Sequence, residues 1–139
     1  MRSNETSVRV RYAETDAMGF VYHTNYLIWF EVGRAEYMRA AGIPYSKLET
    51  QGFYLPVMDC ACHFIHPAHY DSLLTIRTGV RGLTRVKLGF GYEVLENDCL
   101  LATGHTVHVF TDRDGRPKRV GAGSDLWKFM QEHLEVVLA

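Results

Sequence analysis

One helix-period stretch followed by four strand-period stretches restricts this chain more than any other feature. From Tyr26 onward, Leu27, Phe30, Gly33, Arg34, Tyr37, Met38 and Ala41 recur at helical spacing, with Arg34 a basic interruption, and Gly42 followed by Pro44 is a stop signal. Thr24 is placed to cap this helix. Gly33 in mid-helix costs ~1 kcal/mol relative to Ala, a penalty that makes sense where another backbone lies close against that turn. Segments 55–64, 73–80, 86–95 and 101–110 then read as strands. In the last two, Val86, Leu88, Phe90, Tyr92 and Val94 share a face, as do Leu101, Thr103, His105, Val107 and Val109. The string ENDC between them is a tight turn, and RDGR at 113–116 is another. SVRVRY at 7–12 alternates at Val8, Val10 and Tyr12 and predicts a first strand; a short helical turn is expected near Tyr45 to Gln51, and a closing helix capped by Ser124 over Leu126 to Glu135. A sheet with one apolar face needs a cover, and the helix has one stripe to offer. The expectation is therefore an α+β fold, an antiparallel sheet wrapped around one long central helix, with residues 1–139 as a single domain.

Size and composition agree with this. At 139 residues, 47% apolar and 22% charged, the chain can bury a core without disulfides or structural metals. A net charge of -1 gives no general attraction to polyanions, so nucleic-acid binding is not expected and phosphate contacts must come from a local basic patch. MRSNETSVRVRYAE carries no apolar leader, and no run approaches the ~18 apolar residues of a membrane span, which makes a cytoplasmic protein without membrane insertion the expectation. Cys60 and Cys62 are too close together for an ordinary disulfide framework; with Cys99 they read as buried thiols in a reducing compartment.

Just before the helix, AETDAMGFVYHTNY places Glu14, Thr15 and Asp16 on a short polar loop that turns through Gly19. The first amides of the helix, near His23 to Tyr26, lack intrahelical acceptors and carry the positive end of the dipole, where an oxyanion is stabilised. A carboxylate on one side of a carbonyl and those amides on the other form the minimum equipment for acyl transfer. Two readings of Asp16 stand on residue chemistry alone: a turn former favourable to the dipole, or a nucleophile or base. His23 likewise is either a packed residue or an acid-base group. No G-x-S-x-G nucleophile elbow is present.

The string from Tyr12 to Tyr26, YAETDAMGFVYHTNY, closely resembles the signature of the 4-hydroxybenzoyl-CoA thioesterase family of hotdog-fold acyl-CoA thioesterases. The resemblance extends to PAHYDSLLTIRT at 67–78 and the strands after it. It implies that Asp16 is the catalytic carboxylate, as nucleophile or as base for water, and that the backbone N–H of His23 polarises the thioester carbonyl. In the branch associated with the Tol-Pal cell-envelope system a His stands at this same place, and its ring can assist. Gly19, Tyr22, Asn25 and Tyr26 are then expected beside the substrate. The resemblance further implies an acyl-CoA or acyl-carrier-protein substrate, no metal or cofactor apart from the substrate's own coenzyme A, and a homodimer or homotetramer with its site between subunits.

Coenzyme A carries three phosphates and should leave a basic footprint. Arg81, Arg85 and Lys87 form one cluster and Arg113, Arg116, Lys118 and Arg119 another; by resemblance, Arg85, Lys118 and Arg119 lie closest to positions that hold nucleotide phosphates. His63, His66 and His69 recur every third residue, which on a strand points neighbours to opposite faces and speaks against a metal site. Tyr22, Tyr26, Trp29, Phe30 and Phe53 are candidates to line an acyl pocket suited to an aryl or short chain. Rival readings are a hotdog dehydratase acting on acyl-carrier protein and a catalytically silent acyl-CoA-binding module.

Overall fold

The computed structural model describes residues 1–137. The chain runs through β1 (Asn4–Arg9), a 3-10 turn (Tyr12–Glu14), α1 (Asn25–Ala40), α2 (Tyr45–Thr50), β2 (Val57–Phe64), β3 (Leu73–Leu83), β4 (Lys87–Glu96), β5 (Cys99–Val109) and α3 (Asp125–His133). The strands form one antiparallel sheet in the order β1-β3-β4-β5-β2, leaving β1 and β2 as its edges. Asn97 and Asp98, both at positive φ, close the β4–β5 hairpin as a two-residue turn, the geometry that matches the right-handed twist of its strands.

The core lies between α1 and one face of the sheet. Tyr26, Trp29, Phe30, Gly33, Tyr37 and Met38 are the buried positions of α1, and Leu74, Ile76, Leu88, Phe90, Tyr92 and Val94 meet them. The ring of Phe30 stacks on Tyr92 with centroids 4.3 Å apart and planes 6° from parallel. Leu27, placed on the buried stripe by spacing, is exposed; Tyr26 and Trp29 take that role at the first turn, shifting the stripe by one position. Gly33 is indeed a close-approach position, but its neighbours are side chains rather than backbone: a Cβ there would lie 2.8 Å from Ile76 Cγ2 and against Thr78 Oγ1.

Three expectations change. The first strand occupies residues 4–9 rather than 7–12, because after Val10, whose N–H still bonds Ser72 O (2.9 Å), the chain leaves β3 and Tyr12–Glu14 coil into the 3-10 turn. On β5 the inward set is Ala102, Gly104, Thr106 and His108, whereas Thr103, His105, Val107 and Val109 face outward. Hydropathy hides this, since the inward residues are small or polar; a Cβ at Gly104 would come within 2.5 Å of Phe30 Cζ. Finally, Cys60 and Cys99 are exposed and Cys62 is half-buried, because β2 is an edge strand and Cys99 opens β5 beside the Asn97–Asp98 turn.

One polar chain crosses the core. Leu55 O can only accept, so His108 Nδ1 donates to it (3.0 Å); Nε2 then accepts from Thr106 Oγ1 (2.8 Å), and Thr106 in turn accepts from Tyr92 Oη (2.6 Å). The Thr106 link in this assignment requires a neutral imidazole, since only an unprotonated Nε2 accepts. Burial, reinforced by the Arg34 cation and opposed by the bond to Leu55, holds the His108 pKa down at about 4.

Candidate active site

The loop that carries Asp16 is closed by an antiparallel bridge between Thr15 and Val21. Asp16 N–H donates to Phe20 O (2.8 Å) and Gly19 N–H to Asp16 O (3.0 Å), a tight reversal that Gly19 permits by its φ of +83°. The carboxylate completes the turn, with Oδ1 accepting from Met18 N–H (2.9 Å) and Phe20 N–H (3.3 Å). Asp16 is therefore both a turn former and a carboxylate open to solvent in the single chain. Holding one oxygen in the turn leaves Oδ2 without a donor among the described residues.

At the start of α1, Asn25 N–H bonds Tyr22 O (3.0 Å), Tyr26 N–H bonds His23 O (3.2 Å) and Leu27 N–H bonds Thr24 O (3.2 Å). Two of the amides expected to be free, those of Asn25 and Tyr26, are thus satisfied by a tightened first turn. The amides of His23 and Thr24 have no acceptor among the described residues. Thr24 sits at the cap position but already has helical dihedrals and makes no side-chain capping bond. The side chain of Asn25, the first helical residue, instead ties the helix start to the loop, with Nδ2 donating to Glu14 O and Tyr22 O, each at 3.1 Å.

Glu14 joins the two halves. Its carbonyl also accepts from Tyr22 N–H (2.8 Å), and its buried carboxylate accepts from Arg11 N–H (2.7 Å) and from Trp29 Nε1–H (3.3 Å). Asp16 lies two residues after this junction and His23 one residue after Tyr22, so the acid loop and the helix start are tied together through one residue. In the sequence Glu14 is marked only as an acidic residue on the polar loop; no periodicity points to its contact with Trp29.

Around His23 the chain gathers aromatic rings. Tyr22 is exposed with its ring 4.6 Å from that of His23, and Phe64, at the end of β2, lies 6.5 Å from His23 and 5.0 Å from Tyr26. Tyr26 itself is core, 2% exposed and packed on Trp29. Burial raises its phenol pKa. Trp29 and Phe30 are buried as well, while Phe53 packs on Phe110 at the far end of the molecule.

The basic residues are not beside Asp16 in one chain. The loop follows β1 and faces His69, next to the start of β3 and the end of β4, whereas Arg85 sits in the β3–β4 hairpin and bonds Val120 N–H at the opposite end. Strands of this length separate the two ends by ~30 Å. Lys118 is half-buried there, donating to Gly52 O (3.1 Å) with its ammonium 4.2 Å from the centre of the Phe53 ring, and Arg119 is exposed. A concavity of about 740 Å³ opens on the outer sheet face between Arg77, Arg81 and His105 and contains none of the predicted site residues. No group of three or more His, Cys, Asp or Glu among the described residues is arranged to hold a metal.

A carboxylate oxygen without a donor, tied to two amides without acceptors at the positive end of a helix, can attack or deprotonate on one side of a carbonyl and hold negative charge on the other. Residues 10–134 match the profile of the thioesterase-like superfamily. The chain is 38% identical over 115 residues to a putative acyl-CoA thioesterase of Bacillus subtilis, covering 82% of this chain and 83% of the relative. It is 34% identical to an acyl-CoA thioesterase of Haemophilus influenzae, covering 81% and 83%. Among solved structures, a DHNA-CoA thioesterase from Staphylococcus aureus superposes with a TM-score of 0.88 at 31% identity, covering 95% of this chain and 91% of that one.

Proposed function

The chain belongs to the thioesterase-like superfamily of hotdog-fold proteins, and from that premise we propose that it hydrolyses the thioester of a short-chain or aromatic acyl-CoA, with Asp16 as nucleophile or general base. The observation that carries this reading is the tie between the Asp16 loop and the acceptor-free amides of His23 and Thr24. The carbonyl oxygen lies against those amides, which stabilise it as charge develops there. On the other face Asp16 either adds to the carbonyl carbon, giving an anhydride that water then opens, or takes a proton from the attacking water. Either course consumes one water and releases a carboxylic acid and a thiol. A thiolate leaves readily, so the strong acid that an amine leaving group demands is not required and neither a metal nor a further cofactor is invoked.

The acyl group rests beside the His23, Tyr22 and Phe64 rings, while Gly19 supplies the turn and Asn25 the side-chain tie that hold the loop. We further propose that the phosphates are met by a second copy of the chain. β2 is a bare edge with Val57, Met58 and Phe64 exposed, and such edges pair. Antiparallel β2–β2 pairing about a two-fold axis sets the Asp16 end of one chain beside the opposite end of its mate. The partner's Arg85, the partner's Lys118 and the partner's Arg119 then lie within reach of a pantetheine arm leaving the active site. The assembly is a homodimer, or two such dimers joined as a homotetramer. It works in the cytoplasm on coenzyme A or acyl-carrier-protein thioesters.

A panel of acyl-CoAs assayed with a thiol reagent tests the reaction. Hydrolysis by the wild type that falls by about 10²- to 10⁴-fold in Asp16→Asn is expected. Hydration of an enoyl thioester in its place, or binding without turnover, overturns the hydrolase reading, and full activity in Asp16→Asn overturns the site.

A further inference from the structure

We propose that Glu14 is the positioning residue of this site: its buried carboxylate locks the Asp16 loop to α1 through Trp29, and hydrolysis depends on that lock. The inference rests on the thioesterase reading above but concerns a residue that never meets substrate.

The loop is short of other anchors. Its own bonds, Asp16 N–H to Phe20 O and the Oδ1 contacts to Met18 and Phe20, close it on itself and say nothing about where it stands relative to the helix. Orientation toward the β2–β3 connection comes from Phe20, bridged to His69 with rings 5.3 Å apart, and from Val21 N–H on Ala68 O (2.9 Å); orientation toward α1 comes from Tyr22 N–H and Asn25 Nδ2 on Glu14 O. Those contacts to Glu14 use its backbone and survive any substitution. The side chain adds the one link that reaches beyond the first turn, because Trp29 lies four residues into α1 and is itself 2% exposed.

The two carboxylate oxygens divide the task. Oε1 accepts from Arg11 N–H at 2.7 Å, with Arg11 Nε 3.6 Å away, and so fixes the 3-10 turn that leads into Asp16. Oε2 accepts from the indole N–H of Trp29 at 3.3 Å and fixes that turn to the helix. Both partners are donors, so the site demands two acceptors on one group, which a carboxylate supplies and a carboxamide does not. A carboxylate buried only to close a turn would be costly, since a neutral side chain does the same at less desolvation. Its burial is understood if the charge strengthens bonds that hold reacting groups in register, where a misplacement of an ångström costs ~10² in rate.

Glu14→Gln and Trp29→Phe break the same link from its two ends. Each is expected to lower kcat by about 10- to 100-fold with KM within a factor of two, and the double variant is expected to lose no more than the worse single one. Losses that multiply in the double variant, or an unchanged kcat in either folded single variant, overturn the proposal. A role in folding alone would move melting temperature and leave kcat of the folded enzyme intact. Should Glu14→Gln fail to fold, Trp29→Phe, which removes the donor and keeps the carboxylate, carries the test by itself.

A second readout does not use turnover. Hydrogen exchange of the Met18 and Phe20 amides is expected to accelerate in Glu14→Gln while β3 and β4 amides stay protected; unchanged loop protection overturns the lock. A wild type that hydrolyses no acyl-CoA ends the thioesterase reading, and the exchange measurement then decides the lock alone. Hydrolysis that requires Asp16 but ignores Glu14 and Trp29 ends only this inference.

Discussion

The carboxylate of Asp16 accepts the backbone N–H of Met18 at 2.9 Å, a bond that a carboxamide oxygen can accept equally well. Asp16→Asn is therefore expected to keep the turn and to stay within ~0.5 kcal/mol of wild-type stability, whereas Asp16→Ala loses the turn and about 1 kcal/mol. Both lose hydrolysis. Urea denaturation beside the thiol-release assay separates the two effects, and a strongly destabilised Asn variant would contradict the turn geometry.

Gly33→Ala should be destabilising despite the better helix propensity of Ala. The added methyl would lie 2.8 Å from Ile76 Cγ2 and against Thr78 Oγ1, so α1 must lift from β3. Overpacking of this kind costs about 1–3 kcal/mol. Chemical denaturation gives the number, and a neutral or stabilising result would mean that the helix can move without loss.

Acid should weaken the fold through His108. Its ordinary pKa near 6.5 belongs to the unfolded chain, and in the fold burial depresses it to about 4. Between those values the unfolded chain takes up a proton that the fold refuses, so this contribution is complete above pH 6.5 and is lost as pH falls toward 4. The span corresponds to on the order of 3 kcal/mol. Denaturation at pH 7, 6 and 5 should reveal the slope, and His108→Gln should flatten it relative to wild type.

The two neighbouring cations should separate in their effects. Lys118→Met removes the bond to Gly52 O and the contact with the Phe53 ring, and should cost about 1 kcal/mol. Arg119→Gln, at an exposed residue, should leave stability untouched. Both should raise KM for acyl-CoA severalfold with kcat little changed, as expected of phosphate contacts. Equal KM values for acyl-CoA and for a phosphate-free acyl-pantetheine would remove these residues from the binding account.

Much of the architecture was legible in residue pattern. The α1 stripe, the ENDC hairpin and the Ser124 cap, whose Oγ accepts from Trp127 N–H at 3.1 Å, follow from local chemistry that each residue carries with it. The inward face of β5 was not, because Gly104 faces the core for want of space under Phe30 and His108 because its polar atoms are satisfied by Thr106 and Leu55. Both reasons lie on other elements. The same holds at the site. Asp16 and the His23 amide stand out as a loop ahead of a helix, whereas Glu14 matters through Trp29, fifteen positions on. The tie from Asn25 to the loop likewise depends on where Glu14 O lies.

The distance between the acid loop and the basic hairpin has a genetic consequence. If each working centre borrows its cations from the mate, a chain crippled at Asp16 and a chain crippled at Arg85 and Arg119 put both defects into the same centre of a mixed pair and leave the other centre whole. Refolded together in equal amounts and assayed at acyl-CoA well below KM, two impaired preparations should complement one another and regain about a quarter of the wild-type centres, since half the pairs are mixed and each holds one undamaged centre.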